Sequence, residues 1–128
     1  MFEIEFYETS SGRSEVFEVI EKLEDKARTS KNDRVRFGKI VEHMRILGQY
    51  GTLVGFPVVK PMGEGIWELR PFDDRFFFFL AADNKYVMVH HYQKRGRKTP
   101  KNELAVAKAH MKDYKERIEG YAKDMERH

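Results

Sequence analysis

The densest chemistry in this 128-residue chain is a run of cations, Lys94-Arg95-Gly96-Arg97-Lys98, with Lys101 close behind. Five of the eight residues from 94 to 101 are basic. Lys and Arg at that density suit a phosphate-bearing partner, Arg through its planar fork and Lys as a point charge. Composition alone leaves a solvated basic face as an equal alternative. Arg70 and Arg75 lie upstream on either side of a short turn, and His90 and Tyr92 lead into Lys94. Strict alternation would put Tyr86, Met88, His90, Tyr92 and Lys94 on one face of a strand. If the strands pair in order, cations and aromatic rings from neighbouring strands converge at one edge. Arg forks then hold phosphate and aromatic rings stack on bases. Such a pocket requires Arg70, Arg75 and Lys94 to gather without being tied up by carboxylates.

Other constellations carry less. The chain has no cysteine, which excludes disulfides, thiolate ligands and Cys nucleophiles. His90 and His91 are neighbours on a strand, so they point to opposite faces and cannot chelate one ion. No His-Glu-x-x-His motif exists, and no metal or other cofactor is expected. Asp73-Asp74 reads as turn chemistry, Trp67 as a packing residue, and His43 and His110 as helix residues without a role. Neither a phosphate-binding Gly-rich loop with Lys nor a Gly-x-Ser-x-Gly elbow is present.

The elements that must position these residues follow from periodicity. Phe2, Ile4 and Phe6 alternate with Glu3 and Glu5, predicting a half-buried strand. Val16, Phe17, Ile20 and Leu23 predict a helix over 13–27. A second helix starts after Ser30 as N-cap, carries Phe37, Ile40, Val41, Met44 and Leu47, and ends at Gly48 and Gly51. Residues 51–65 read as a Gly- and Pro-rich loop holding one extended piece, Val58-Val59-Lys60. Strands are expected at 66–70, 75–81 and 86–94, joined by turns at Asp73-Asp74 and Asp83-Asn84. The middle one is apolar on both faces and therefore central. Thr99 as N-cap and Pro100 at the first helical position open a last helix. Its seam of Leu104, Ala107, Met111, Tyr114, Ile118, Tyr121 and Met125 is heptad-spaced, suited to packing on the sheet or to a partner helix.

The expected fold is one α+β domain over 1–128. A small antiparallel sheet, made of the N-terminal strand and the three-stranded meander, packs against the αα-hairpin, with the helices on one face. Charge divides unevenly: residues 1–33 carry net −4 and the remainder net +7. The longest apolar run, Phe76 to Ala82, is far short of the roughly 20 residues that span a bilayer, and no leader is legible. A soluble cytoplasmic protein is expected.

Four stretches together resemble the RelE/HigB superfamily, nearest its phage-derived HigB-like branch. They are Gly65-Ile66-Trp67-Glu68-Leu69-Arg70, Arg75-Phe76-Phe77-Phe78-Phe79, His90-His91-Tyr92-Gln93-Lys94-Arg95 and Lys98-Thr99-Pro100-Lys101-Asn102-Glu103-Leu104. The resemblance covers roughly 35–110 and implies a RelE-like fold. It also implies a toxin of a type II toxin–antitoxin module: an endoribonuclease that cuts mRNA on the translating ribosome without metal. In that chemistry the 2′-hydroxyl attacks the adjacent phosphorus and leaves a 2′,3′-cyclic phosphate. A cognate helix-turn-helix antitoxin would neutralise the toxin and carry any contact with operator DNA, and no membrane is involved. The acidic N-terminal third and the long last helix would offer that antitoxin a surface away from the basic edge.

Carried over by position, the resemblance makes Arg70 and Arg75 phosphate clamps and Lys94 a base or charge stabiliser paired with Arg95. His90 and Tyr92 are the nearest options for a catalytic His or Tyr, and Arg97, Lys98 and Lys101 would track the RNA backbone. The chain departs from the pattern at Phe78, where relatives often carry Tyr, and at Arg95, where Lys is common. Two alternatives remain at this point: a non-catalytic ParE-like inhibitor of DNA gyrase, or a plain RNA- or ribosome-binding module.

Overall fold

The structure is a computed structural model that describes residues 1–126, with side chains through Gly120. Strand β1 spans Glu3–Phe6, followed by helices α1 (Glu15–Lys26) and α2 (Lys31–Tyr50). Both helices start on a serine side chain. Ser14 accepts from the Phe17 N–H at 3.2 Å and Ser30 from the Asp33 N–H at 3.3 Å, satisfying donors the helix cannot. Helix α2 stops at Gly51, whose φ is +66°. A Cβ there would lie 2.7 Å from the Phe2 ring and 2.9 Å from the Tyr86 hydroxyl, so the turn requires glycine.

A short 3-10 turn, Gly51–Val54, leads to β2 (Val59–Gly63), β3 (Ile66–Leu69), β4 (Asp74–Ala82) and β5 (Lys85–Gln93). Helix α3 runs from Lys101 to Glu126. The five strands form one sheet in the order β1-β5-β4-β3-β2. Strands β2 to β5 are antiparallel neighbours, and β4 is central as its all-apolar run required. Phe76 and Phe78 point into the α1–α2 core, while Phe77 and Phe79 point to α3.

The α+β class stands as expected, and several details differ. The sheet is mixed, because β1 pairs parallel to β5. The αα-hairpin and β2 to β4 lie between those two strands in sequence, so the chain returns to β1 through a long connection rather than a hairpin. The extended piece in the loop is a full edge strand, β2, and tolerates Pro61 for that reason. The helices cover both faces: α1 and α2 pack on one, α3 on the other. Thr99 does not cap α3. Pro100 offers its carbonyl to the N–H groups of Glu103 and Leu104, and the Thr99 hydroxyl points to a carboxylate instead. Along the α3 seam, Leu104, Ala107, Met111 and Tyr114 pack on the sheet, whereas Ile118 is half exposed. Tyr121 and Met125 lie outside the residues whose side chains are described. Among the described residues no helix is long and apolar enough to cross a membrane.

Candidate functional site

A bulge decides which residues meet. Phe77 pairs with His90 but Phe78 pairs with Met88, so β5 gains one residue against β4. Tyr86 and Met88 therefore face α1 and α2, whereas Val89 and Tyr92 face α3. The single-face alternation expected from Tyr86 to Lys94 is broken at this point. Across the α3 face, Glu68, Phe77 and His90 form one row, and Arg75 and Tyr92 form the next.

Glu68 is the hub of that face and only 2% exposed. Its Oε1 lies 3.5 Å from the Arg70 Nε and 3.8 Å from the Arg75 Nε. Its Oε2 accepts from the Tyr92 hydroxyl at 3.3 Å and from the Thr99 hydroxyl at 3.4 Å. Arg70 and Arg75 thus converge, but both are engaged by the Glu68 carboxylate, so the acid-free cation pocket expected from the sequence is not formed by this pair. The two arginines are not equivalent. Arg75 is buried and donates to the Phe72 carbonyl at 2.5 Å and to the Asp74 carbonyl at 3.0 Å, bracing the β3–β4 turn. Burial pulls its pKa down, the neighbouring Arg70 charge adds to that, and Glu68 opposes it. Arg70 remains partly exposed and lies under the Phe56 ring at 5.0 Å. Burial, reinforced by the Glu68 charge, raises the pKa of Tyr92, which keeps its hydroxyl a proton donor.

The basic loop is anchored at both ends, at one on the β3–β4 turn and at the other on the Glu68 hub. The Lys94 N–H donates to the Asp73 carbonyl at 2.6 Å, and Thr99 reaches Glu68. Gly96, with φ at +102°, turns the chain between them. Arg95, Arg97, Lys98 and Lys101 are exposed, and Lys94 is partly so. Among the described residues Lys94 makes no ion pair, whereas Arg70 and Arg75 both stand against Glu68.

His90 is held elsewhere. It is buried, stacks parallel to Phe77, and its Nε2 lies 2.5 Å from the Glu103 Oε2. Its Nδ1 is 3.2 Å from the Glu15 carboxylate, near enough for an ion pair but off the direction of a hydrogen bond. His90 ties β5 to the first turns of α1 and α3 rather than facing the loop.

Sequence reasoning missed Glu68 and also a second network on the opposite face. Asp74 is not a solvated turn residue; it is the first residue of β4 and 1% exposed. Arg36 of α2 grips its carboxylate with two bonds of 2.8 and 2.7 Å, and the His91 Nε2 sits 2.7 Å away. Burial works to raise the Asp74 pKa, but the bonds from Arg36 and His91 outweigh it and hold the carboxyl below its usual range. A depressed folded pKa contributes stability above the unfolded value of about 3.9, lost as pH falls through the folded value. The urea midpoint should therefore drop on acidification below about pH 4, and Asp74→Asn should flatten that limb while lowering the midpoint at pH 7. Superimposable acid limbs for the two proteins would exclude this account.

Among the described residues no group of three or more His, Asp or Glu stands together as a metal site. The model of the phage-derived Gp49-like protein family (DUF891) matches residues 18–112. The chain belongs to this family. It is a toxin-like family of phage origin. No curated protein matches the chain. The matched segment contains Glu68, Arg70, Arg75, Tyr92 and the whole loop from Lys94 to Lys101, so the hub and its cations belong to the Gp49-like core. Strand β1 and the end of α3 lie outside it.

Proposed function

We propose that this Gp49-like protein is a toxin of the RelE/HigB kind that cleaves mRNA, on the translating ribosome, by attack of the 2′-hydroxyl on the adjacent phosphorus. The observation that carries the reading is the Glu68 hub. A proton acceptor, a hydroxyl and a partly exposed guanidinium meet beside a loop with four cations, with a fifth, Lys101, opening α3.

Each group has a part suited to its environment. Arg70 and the loop cations hold the scissile phosphate and the charge that builds on it. Arg75 is too enclosed to touch RNA and positions Glu68 and the turn. Tyr92 accepts the 2′-hydroxyl proton while passing its own to Glu68. The P–O2′ bond forms, the P–O5′ bond breaks, and the leaving 5′ oxygen takes a proton from the Lys94 ammonium. Arg95, Arg97, Lys98 and Lys101 supply salt-dependent grip on the RNA or rRNA backbone. His90 supports the site through α3. The cognate antitoxin, a helix-turn-helix protein, would restrain this activity and carry operator DNA.

One observation favours the alternative of a non-catalytic, ParE-like gyrase inhibitor: the two arginines already face a carboxylate. Translating ribosomes with mRNA, incubated with the protein in excess EDTA and mapped for new 5′ ends, separate the two. Cleavage is the expected result. Intact mRNA together with inhibited gyrase supercoiling would replace the nuclease reading with the other.

A further inference from the structure

Strand β1 is the edge of the sheet, and its outer side runs along the floor of a groove of about 730 Å³. Helix α1 forms one wall and the second half of α3 the other. Glu3 and Tyr7 direct their N–H groups to β5, bonding the Asn84 and Met88 carbonyls. Because backbone groups alternate along a strand, Ile4 and Phe6 turn theirs outward to the groove. Among the described residues no strand pairs there. The two walls differ in chemistry. On the α1 side lie the Ile4 and Phe6 side chains and Phe17, which is 49% exposed. On the α3 side lie Glu3, which is exposed, Glu5, which accepts from the Tyr114 hydroxyl at 2.6 Å and stands 3.7 Å from the Lys85 ammonium, and Arg117, which is paired with Asp113.

We infer that this groove takes an extended segment of a partner protein whose residues alternate apolar and basic, added to the sheet as a sixth strand beside β1. An added strand presents side chains alternately to the two walls. Apolar ones meet Phe6 and Phe17, and Lys or Arg meets Glu3 and Glu5. A second copy of this chain fits poorly, since pairing β1 with itself sets acidic residues against acidic residues. The carboxylates of the lining, Glu3, Glu5, Glu8 and Glu18, outnumber its cations, Arg13 and Arg117, which favours a basic partner over RNA. At about 3.3 Å per residue the four residues of β1 accept four or five residues of partner. Of the lining residues only Glu18 falls within the segment the family model matches, so the groove is distinct from the Glu68 hub. The inference does not depend on RNA cleavage.

Two blocked, fluorescein-labelled octapeptides test it on the wild-type chain: one alternating Lys and Val, the other four Lys followed by four Val. The alternating peptide should bind at least tenfold tighter by anisotropy. It should also shift and protect the Ile4 and Phe6 amides in NMR spectra and hydrogen exchange. Glu3→Lys and, separately, Phe17→Ser should each weaken it at least threefold, while the mRNA cleavage assay reads the hub independently. Equal binding of the two peptides, or shifts confined to other residues, would overturn the inference. So would sedimentation showing that the chain alone dimerises through β1.

Discussion

Arg70→Ala should lower RNA cleavage roughly 10²–10³-fold while leaving the urea midpoint nearly unchanged. Arg70 is the one guanidinium of the hub with an exposed surface, so it is the one that can follow a phosphate as negative charge builds. Its removal leaves Glu68 still served by Arg75, Tyr92 and Thr99, so no buried charge is stranded. Arg70→Lys should recover only part of the rate, because an ammonium cannot reproduce the two-pronged fork. Arg75→Ala should behave differently, lowering stability first, since it deprives the Phe72 and Asp74 carbonyls of their donor. Single-turnover rates beside urea titrations distinguish the two arginines. Equal loss of stability in both variants would remove the distinction drawn here.

Glu68→Ala should cost about 3–5 kcal/mol of folding stability, the usual penalty for removing one partner of a buried ion pair. Two guanidiniums would then face each other without the carboxylate between them, and the Tyr92 and Thr99 hydroxyls would lose their acceptor. The loop that Thr99 anchors should loosen as well, visible as faster exchange of amides between Lys94 and Lys101. Glu68→Gln keeps the volume and the hydroxyl contacts but not the charge. It should fold better than the alanine variant and still lose cleavage, because an amide cannot take the proton that Tyr92 passes on. A change below about 1 kcal/mol in Glu68→Ala would mean the pair acts like an exposed one.

Much of this architecture was legible because local signals agreed. Ser30, the two apolar stripes at helical spacing and the four consecutive phenylalanines place two helices and a central strand within a residue or two, although the Ser14 cap of α1 went unread. What stayed hidden was non-local. The parallel pairing of β1 with β5 joins residues about 80 positions apart, and nothing in Phe2–Phe6 announces its partner. The bulge between Phe77 and Phe78 reverses alternation along β5, an event invisible to a period-two reading of Tyr86 to Lys94. Asp74 looked like turn chemistry because its partner, Arg36, lies on a helix 38 residues earlier. Glu68 had a weak signal: an acid between Trp67 and Leu69 on a strand facing apolar neighbours. Only the structure shows that two arginines and two hydroxyls surround it. The cationic loop was plain from composition, whereas its attachment to Glu68 at Thr99 spans 31 residues of chain and leaves no local mark.

The central claim is that a 2′-hydroxyl is the nucleophile and the Glu68 hub takes its proton. It is tested most directly by replacing the 2′-hydroxyl with hydrogen at the single nucleotide 5′ to a mapped cut and measuring cleavage in EDTA. Abolished cleavage at that position, with 2′,3′-cyclic phosphate ends on the all-ribose control, is the result expected. Undiminished cleavage of the deoxy-substituted strand would contradict it.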